Sequence, residues 1–233
     1  MTKEEEEGRL DMPLPNTNPN PTITIRPRLP SDLPSCASLL ARVYEKDHYP
    51  VQGVSHAVEF LSSPSTLASW VAVAETSAAA EDEETTPDDE IDPENQHHHN
   101  QPPKILAHIS LSLPVPSSAS SPDPAVALWH TLHPSHPPPI AVLERLFVDP
   151  SARRQGLAES LIRTVTAAAA ERGLRCVLFA LVKDVGAMRL YGRVGWGEFG
   201  RRGFGYEDVE GEWREMEAVC FVGPETGAET GRE

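Results

Sequence analysis

The stretch that decides the fold reads FVDPSARRQGLAESLIRTVTAAAAERG and runs from Phe147 to Gly173. A short apolar run ends at an Asp-Pro pair, two arginines and a glycine follow, and apolar residues then recur at helical spacing. This order predicts a strand, a turn and a helix. Because the first turn of a helix presents unpaired backbone N–H groups, an anion such as phosphate fits there. Arg153, Arg154 and Gly156 therefore mark a candidate anion site, although an ordinary exposed loop would have the same composition.

Two familiar phosphate motifs are missing from the chain. It has no GxxxxGK[ST] sequence, which argues against a P-loop nucleotide site, and no GxGxxG after a predicted strand, which argues against a dinucleotide fold. Phosphate recognition at Gly156 would have to depend on another kind of loop.

The rest of the chain predicts strands and helices around this stretch. Further strands are expected at 22–29, 66–75, 104–115, 140–148 and 174–182 and at two places after 196, and helices near 31–43, 55–61 and 184–194. Ser31 or Asp32 can cap the first of these helices, and Val58 and Leu61 should share one face of the second. Some strands are separated by helices and others by hairpins, so the sheet should be mixed.

Four segments are too polar or too rich in proline to build a core, and they are expected to be mobile. They are residues 1–21, an acidic insert at 76–103, a proline-rich insert at 116–139 and a tail at 224–233. The remainder, 22–223, fits one domain. The net charge of −15 lies mostly in these segments, so the domain has no strongly basic face and nucleic-acid binding is not expected.

The three cysteines, Cys36, Cys176 and Cys220, are far apart and odd in number, which favours buried free thiols in a reducing compartment. No apolar run approaches the roughly 20 residues of a membrane span, and the N-terminus MTKEEEE has no signal-peptide pattern. These features predict a soluble intracellular, cytoplasmic protein without membrane contact. His97–His99 is weak evidence for a metal, and GRRGFG at 200–205 is better interpreted as a hairpin than as an RNA-binding tract.

Three stretches carry a family resemblance. RRQGLA at 153–158 resembles the [QR]-x-x-G-x-[GA] signature of the GCN5-related N-acetyltransferases (GNAT), AMRLYGRVGW at 187–196 resembles a later element of that family, and IRPRLPSDLPS resembles its first strand and helix. The resemblance implies an α/β (α+β) fold with a mixed, mostly antiparallel sheet of six to seven strands and about four flanking helices. Asp184 departs from the asparagine often found there in the family.

The resemblance also implies acetyl-CoA as co-substrate, no metal, and transfer of an acetyl group to a small-molecule amine or an exposed protein amine. The implied cofactor contacts are the backbone of Leu146, Phe147 and Val148, where strand splaying would free N–H groups, and the loop Arg153, Arg154, Gln155, Gly156, Leu157 and Ala158. The acceptor itself and the number of subunits are not indicated.

Four residues are candidates for the chemistry and the acceptor pocket. Tyr191 matches the family tyrosine near the coenzyme sulfur, and a phenol is protonated at neutral pH and can donate to a thiolate. Glu144 is a weaker candidate for the base. It should share a face with Leu146 unless a bulge intervenes, and a water relay would need no dedicated base. His48 and Tyr49 are expected to line the acceptor pocket.

The alternative hypothesis is a protein without turnover. The same fold could hold acyl-CoA, or it could carry the acidic insert at 76–103 as a recruitment site for a basic partner.

Overall fold

The computed structural model describes residues 22–75, 104–115 and 123–225. The predictions for residues 1–21, the acidic insert and His97–His99 lie outside these ranges. The elements are β1 (Ile23–Pro27), α1 (Leu33–Asp47), α2 (Ala57–Leu61), β2 (Thr66–Ala74), β3 (Lys104–Ser112), α3 (Pro124–Leu132), β4 (Ile140–Val148), α4 (Leu157–Ala170), β5 (Arg175–Leu181), α5 (Val185–Arg193), β6 (Gly197–Glu207) and β7 (Trp213–Val222).

The strands form one seven-stranded sheet in the order β1-β2-β3-β4-β5-β7-β6. Every neighbouring pair is antiparallel except β4 and β5, which are parallel and joined through α4. The mixed, mostly antiparallel sheet predicted from the sequence is therefore confirmed. β2 and β3 pair up to Ala74 opposite Lys104, so the acidic insert connects the two strands of a hairpin, as expected.

Helices cover both faces of the sheet. On one face, which we call the α4 face, Leu161 and Val165 of α4 pack with strand residues such as Ile109, Leu143 and Leu178. The other face, which we call the α1–α3 face, carries α1 over Val71 and Phe147, and α3 over Val142, Val177 and Cys220. Alternate residues of each strand point to opposite faces, and both sets are apolar because both faces are covered.

The first helix forms largely as its sequence predicts. Cys36, Leu39, Leu40 and Val43 of α1 lie on one stripe and are buried. Asp32 precedes the helix, but its carboxylate accepts hydrogen bonds from Arg26 and from the Leu29 backbone instead of capping α1. In α2 the predicted shared face is wrong, since Leu61 is buried whereas Val58 is 47% exposed.

The second insert requires a correction. The segment 116–139 was expected to be mobile throughout, yet residues 124–132 form α3, and Ala125, Val126 and Trp129 are buried. Asp123 caps this helix by accepting hydrogen bonds from the backbone N–H groups of Ala125 (2.8 Å) and Val126 (3.1 Å). The apolar run AVALW within the insert supplies a face that docks on the sheet, and its burial offsets the cost of ordering the chain.

Candidate active site

The parallel strands β4 and β5 diverge at the centre of the sheet. They pair only from Ile140 to Val142, opposite Arg175 to Val177. Beyond that point a cleft of about 940 Å³ opens between them, and residues from both faces of the sheet line it. From Leu143 onward β4 has no strand partner on its β5 side among the described residues, so backbone groups on that side face the cleft. The predicted splaying is thus present.

A bulge in β4 changes which residues share a face. Ser110 pairs with Glu144 and His108 with Phe147, so the single residue Ile109 lies opposite two residues of β4. One of the two, Arg145, has a positive φ of 55°. As a result Glu144 lies on the α1–α3 face with Phe147. The expectation that it shares a face with Leu146 and Val148, which the sequence analysis made conditional on an unbulged strand, is wrong.

Hydrogen bonds to Asp149 fix the start of the loop that follows β4. The Asp149 carboxylate accepts hydrogen bonds from the Ser151 backbone (2.9 Å) and hydroxyl (2.6 Å) and from Arg42 (2.8 Å). Partial burial acts to raise the pKa of Asp149, but these donors outweigh it and hold the pKa at about 2. Asp149 is therefore charged at neutral pH and fixes the turn that leads into α4.

The N-terminus of α4 is open. Gly156 precedes the helix with a φ of 78° and no side-chain cap, and a Cβ atom at this position would meet nothing within 4 Å. Its backbone conformation is one that residues with a side chain rarely adopt. The first-turn N–H groups of the helix have no intrahelical partner, and Gly156, Leu157 and Ala158 line the cleft. This arrangement fits an anion at the helix mouth.

The two arginines of the loop differ in their contacts. Arg153 forms an ion pair with Asp47 at the end of α1, with a second contact of 3.3 Å between the same groups. Arg154 lines the cleft, is exposed and has a φ of 65°. Its side chain makes no hydrogen bond or ion pair with the described residues. Gln155 is exposed and lies outside the lining of the cleft. Within the part of the chain that the structure describes, Arg154 is therefore the loop cation that remains available to a ligand.

Tyr191 lies in α5 at the inner wall of the cleft. Its ring packs against Trp196 and Phe221, with centroid distances of 5.9 and 5.7 Å, and the residue is 6% exposed. Burial, with a smaller contribution from the Asp184 carboxylate, raises the pKa of Tyr191 above its ordinary value. The phenol is therefore protonated throughout the physiological pH range.

Glu144 is already engaged with neighbouring side chains. Its carboxylate accepts a hydrogen bond from the Ser112 hydroxyl and forms an ion pair with Arg145. The Arg145 guanidinium in turn lies over the Phe60 ring, 5.1 Å from its centroid. The negative charge of Glu144 is thus matched within the protein.

Of the two residues predicted to line the acceptor pocket, only one lies in the lining of the cleft. Tyr49 lines the cleft, close to Phe60 and Phe147, and burial raises its pKa, with a further contribution from nearby Tyr191. His48 is exposed, ends α1 with a φ of 51° and places its ring edge-on to Tyr44. It lies outside the lining of the cleft.

The sequence analysis did not identify several of the lining residues, namely Phe60, Asp123, Phe179 and Phe204. Asp123 could have been found, since an Asp-Pro pair before an apolar run is a helix-start pattern. Burial raises the pKa of Asp123 to about 6, although the two backbone donors of the helix cap oppose this.

Other kinds of site find little support. Within the described residues no cluster of His, Cys, Asp or Glu side chains could hold a metal ion. Cys36, Cys176 and Cys220 are free and buried, as predicted, and burial raises the pKa of Cys36 to about 11. None of the helices in 22–75, 104–115 and 123–225 is long and apolar enough to cross a bilayer.

Comparison with known proteins agrees with this geometry. The family described as acetyltransferase (GNAT) matches residues 80–196, half of the chain. The chain belongs to the GNAT acetyltransferase family. This assignment confirms the resemblance noted in the sequence, and the open sheet with a cleft between β4 and β5 is the GNAT-like fold that the resemblance implied.

Solved structures of other GNAT proteins share the fold. One is Arabidopsis thaliana NAA60 in complex with acetyl-CoA, with a TM-score of 0.55, 19% identity and coverage of 86% of this chain and 97% of that one. Another is the ribosomal-protein-S18-alanine N-acetyltransferase of Escherichia coli, with a TM-score of 0.52, 16% identity and coverage of 91% and 99%. A search of curated proteins finds no significant match.

Proposed function

We propose that the protein is an acetyl-CoA-dependent N-acetyltransferase that moves an acetyl group to a primary amine by direct attack. The observation that carries the proposal is a cleft between β4 and β5, with the open N-terminus of α4 at one side. Along its wall runs β4 backbone that has no strand partner there among the described residues. Membership of the acetyltransferase family supports it. We further propose that residues 22–223 act as one catalytic domain.

The residues at the mouth of α4 suit the pyrophosphate of coenzyme A. The backbone N–H groups at Gly156, Leu157 and Ala158 would receive its oxygens, and Arg154 adds positive charge beside them. Arg153 would act indirectly, because its ion pair with Asp47 holds the loop against α1. Along the wall, Leu146, Phe147 and Val148 supply backbone groups for the pantetheine and acetyl part.

Acetyl-CoA supplies an activated thioester when it is bound. In the transfer a C–N bond forms, the C–S bond breaks and the departing thiolate needs a proton or a hydrogen bond. Tyr191 is the proposed donor, since its phenol is protonated and lies on the cleft wall. Glu144 is the base that the sequence predicts, but its carboxylate already accepts hydrogen bonds from Ser112 and Arg145.

The proposal is tested by following thiol release from acetyl-CoA in the presence of a panel of small amines and of peptides with free N-termini. We expect thiol release that depends on the added amine, with an acetylated product seen by mass spectrometry. Reactions without amine measure background hydrolysis. A folded protein that binds acetyl-CoA but releases no thiol with any amine would contradict turnover and leave an acyl-CoA-binding protein.

A further inference from the structure

Asp123 is a carboxylate in the cleft that the catalytic scheme leaves unused. It stands at the start of α3, on the α1–α3 face, where it lines the same cleft as Glu144 and Phe179. The α4 face carries the proposed coenzyme loop, so Asp123 lies on the opposite side of the gap between β4 and β5. An acceptor that approaches the thioester from that side would meet Asp123.

The contacts of Asp123 differ from those of Glu144. One carboxylate oxygen, Oδ1, accepts both hydrogen bonds of the α3 cap. No cation forms an ion pair with Asp123, and no donor to Oδ2 is found, among the described residues. Glu144, by contrast, is paired with Arg145. The cleft therefore contains one carboxylate whose charge no cation in the described chain matches.

Aromatic rings line the cleft near this carboxylate. Phe179 and Phe204 pack together with ring centroids 4.9 Å apart, and both belong to the lining, as does Phe60. Aromatic faces attract cations, and Arg145 over Phe60 is an example within this cleft. A carboxylate without a cation partner among the described residues, in a cleft lined by aromatic rings, is suited to a positively charged nitrogen carried on an apolar group.

Two loops beside the cleft touch each other. The tip of the β6–β7 hairpin places Val209 so close to Gly53 that a Cβ atom on Gly53 would lie 2.6 Å from Val209 Cγ1. Gly53 follows the lining residues 49–52, and Val209 lies on the same hairpin as Phe204. Because this contact lies beside lining residues 49–52, it restricts approach from that edge of the cleft, which favours a small acceptor over a folded protein surface.

We propose that Asp123 receives the ammonium group of the acceptor and takes its proton, and that the acceptor is a small amine carried on an apolar or aromatic group. The inference rests on the proposed acetyl transfer for the proton step, but not for amine binding. In that step one ammonium proton passes to Asp123, and the free amine attacks the thioester carbon, so that a C–N bond forms and the C–S bond breaks. The departing thiolate takes the Tyr191 proton, and the second proton lost by the nitrogen returns to the Tyr191 phenolate. Asp123 then returns its proton to water.

The groups around Asp123 agree with this role. Glu144 faces it from β4, and its negative charge raises the pKa of Asp123 further, after burial. Cys220 faces it from β7 and stays a neutral thiol, since burial raises the pKa of Cys220 to about 12. With a pKa of about 6, Asp123 is charged at pH 7.5 and mostly neutral at pH 4.5. An ammonium ion should therefore bind more weakly at the lower pH.

The test compares two probes of nearly equal shape, benzylamine and benzyl alcohol, by NMR titration of the full chain. At pH 7.5 the parent should bind benzylamine about tenfold or more tightly than the alcohol, because hydrogen bonds to charged groups are strong. Asp123→Asn removes the charge and keeps an N-cap residue, and it should abolish the preference. Glu159→Gln, which removes a carboxylate of the cleft lining that is already paired with Arg163, should retain it.

Two results would support the role of Asp123, and two others would overturn it. Loss of the preference in Asp123→Asn, and its loss in the parent between pH 7.5 and 4.5, are the expected results. Equal binding of both probes by the parent, or an unchanged preference in Asp123→Asn, would overturn the inference. Should Asp123→Asn fail to fold, the pH dependence of the parent still decides. The titrations contain no acetyl-CoA, so they test amine binding alone. A failure of the proposed acetyl transfer would appear only in the thiol-release assay.

Discussion

Tyr191 combines a polar hydroxyl with a largely apolar enclosure. Trp196 and Phe221 pack against its ring, and burial raises its pKa, so the phenol is an uncharged hydrogen-bond donor at every physiological pH. A buried donor at the point where charge develops on sulfur is most effective in a site that excludes water. The enclosure thus supports the proposed role as acid and also supplies packing that a phenylalanine would preserve.

Replacement of Tyr191 by Phe separates these two contributions. We expect Tyr191→Phe to keep acetyl-CoA affinity and thermal stability while kcat falls about a hundredfold, the scale of general acid catalysis. Tyr44→Phe, on α1 and outside the cleft lining, is the matched control and should behave as the parent. Steady-state kinetics with a saturating amine measure the effect. Full activity of Tyr191→Phe would show that Tyr191 is not the general acid.

Helix α3 gives the proline-rich insert a structural role. Trp129 is 4% exposed, donates a hydrogen bond to the Pro138 carbonyl (3.2 Å) and packs edge-on against Phe199. Through this anchor the helix fixes Asp123 at the cleft. The element therefore connects a surface insert with the proposed acceptor end.

Loss of this anchor should affect stability and the acceptor end together. Trp129→Ala should lower the free energy of unfolding by about 3 kcal/mol, measured by urea denaturation, and raise the KM for the amine while the Kd for acetyl-CoA stays unchanged. Leu132→Ala, a residue of the same helix that is 53% exposed, should have little effect on either. Equal KM values in parent and Trp129→Ala would show that α3 does not support the acceptor site.

Elements whose signals are local could be predicted from the sequence. The turn before α4 is an example, since a glycine that allows a positive φ and the helix pattern after it are adjacent in the chain. The side of β4 on which Glu144 lies could not be predicted, because the bulge depends on pairing with β3. Likewise, Arg153 meets Asp47, which is 106 positions away. Helix α3 was missed because proline content outweighed the Asp123-Pro124 start signal.

In the proposed reaction, the sheet brings the two substrates together. The proposed coenzyme loop belongs to the α4 face, Asp123 and the aromatic rings belong to the α1–α3 face, and the gap between β4 and β5 joins them. The parallel pair at the sheet centre is short, so the gap is a consequence of topology and not of one side chain. The central claim is that the open N-terminus of α4, at Gly156, holds the pyrophosphate of acetyl-CoA.

That claim is tested most directly by calorimetric titration of acetyl-CoA into the parent and into Gly156→Trp. We expect micromolar binding by the parent and none by Gly156→Trp, because an indole would occupy the anion position. Gly173→Trp is the matched control and should bind as the parent does. Gly173 also has a positive φ, 68°, and open space around its Cβ position, but lies just beyond the other end of α4. Parent-like binding by a folded Gly156→Trp, or no binding by the folded parent, would show that the N-terminus of α4 does not hold the pyrophosphate.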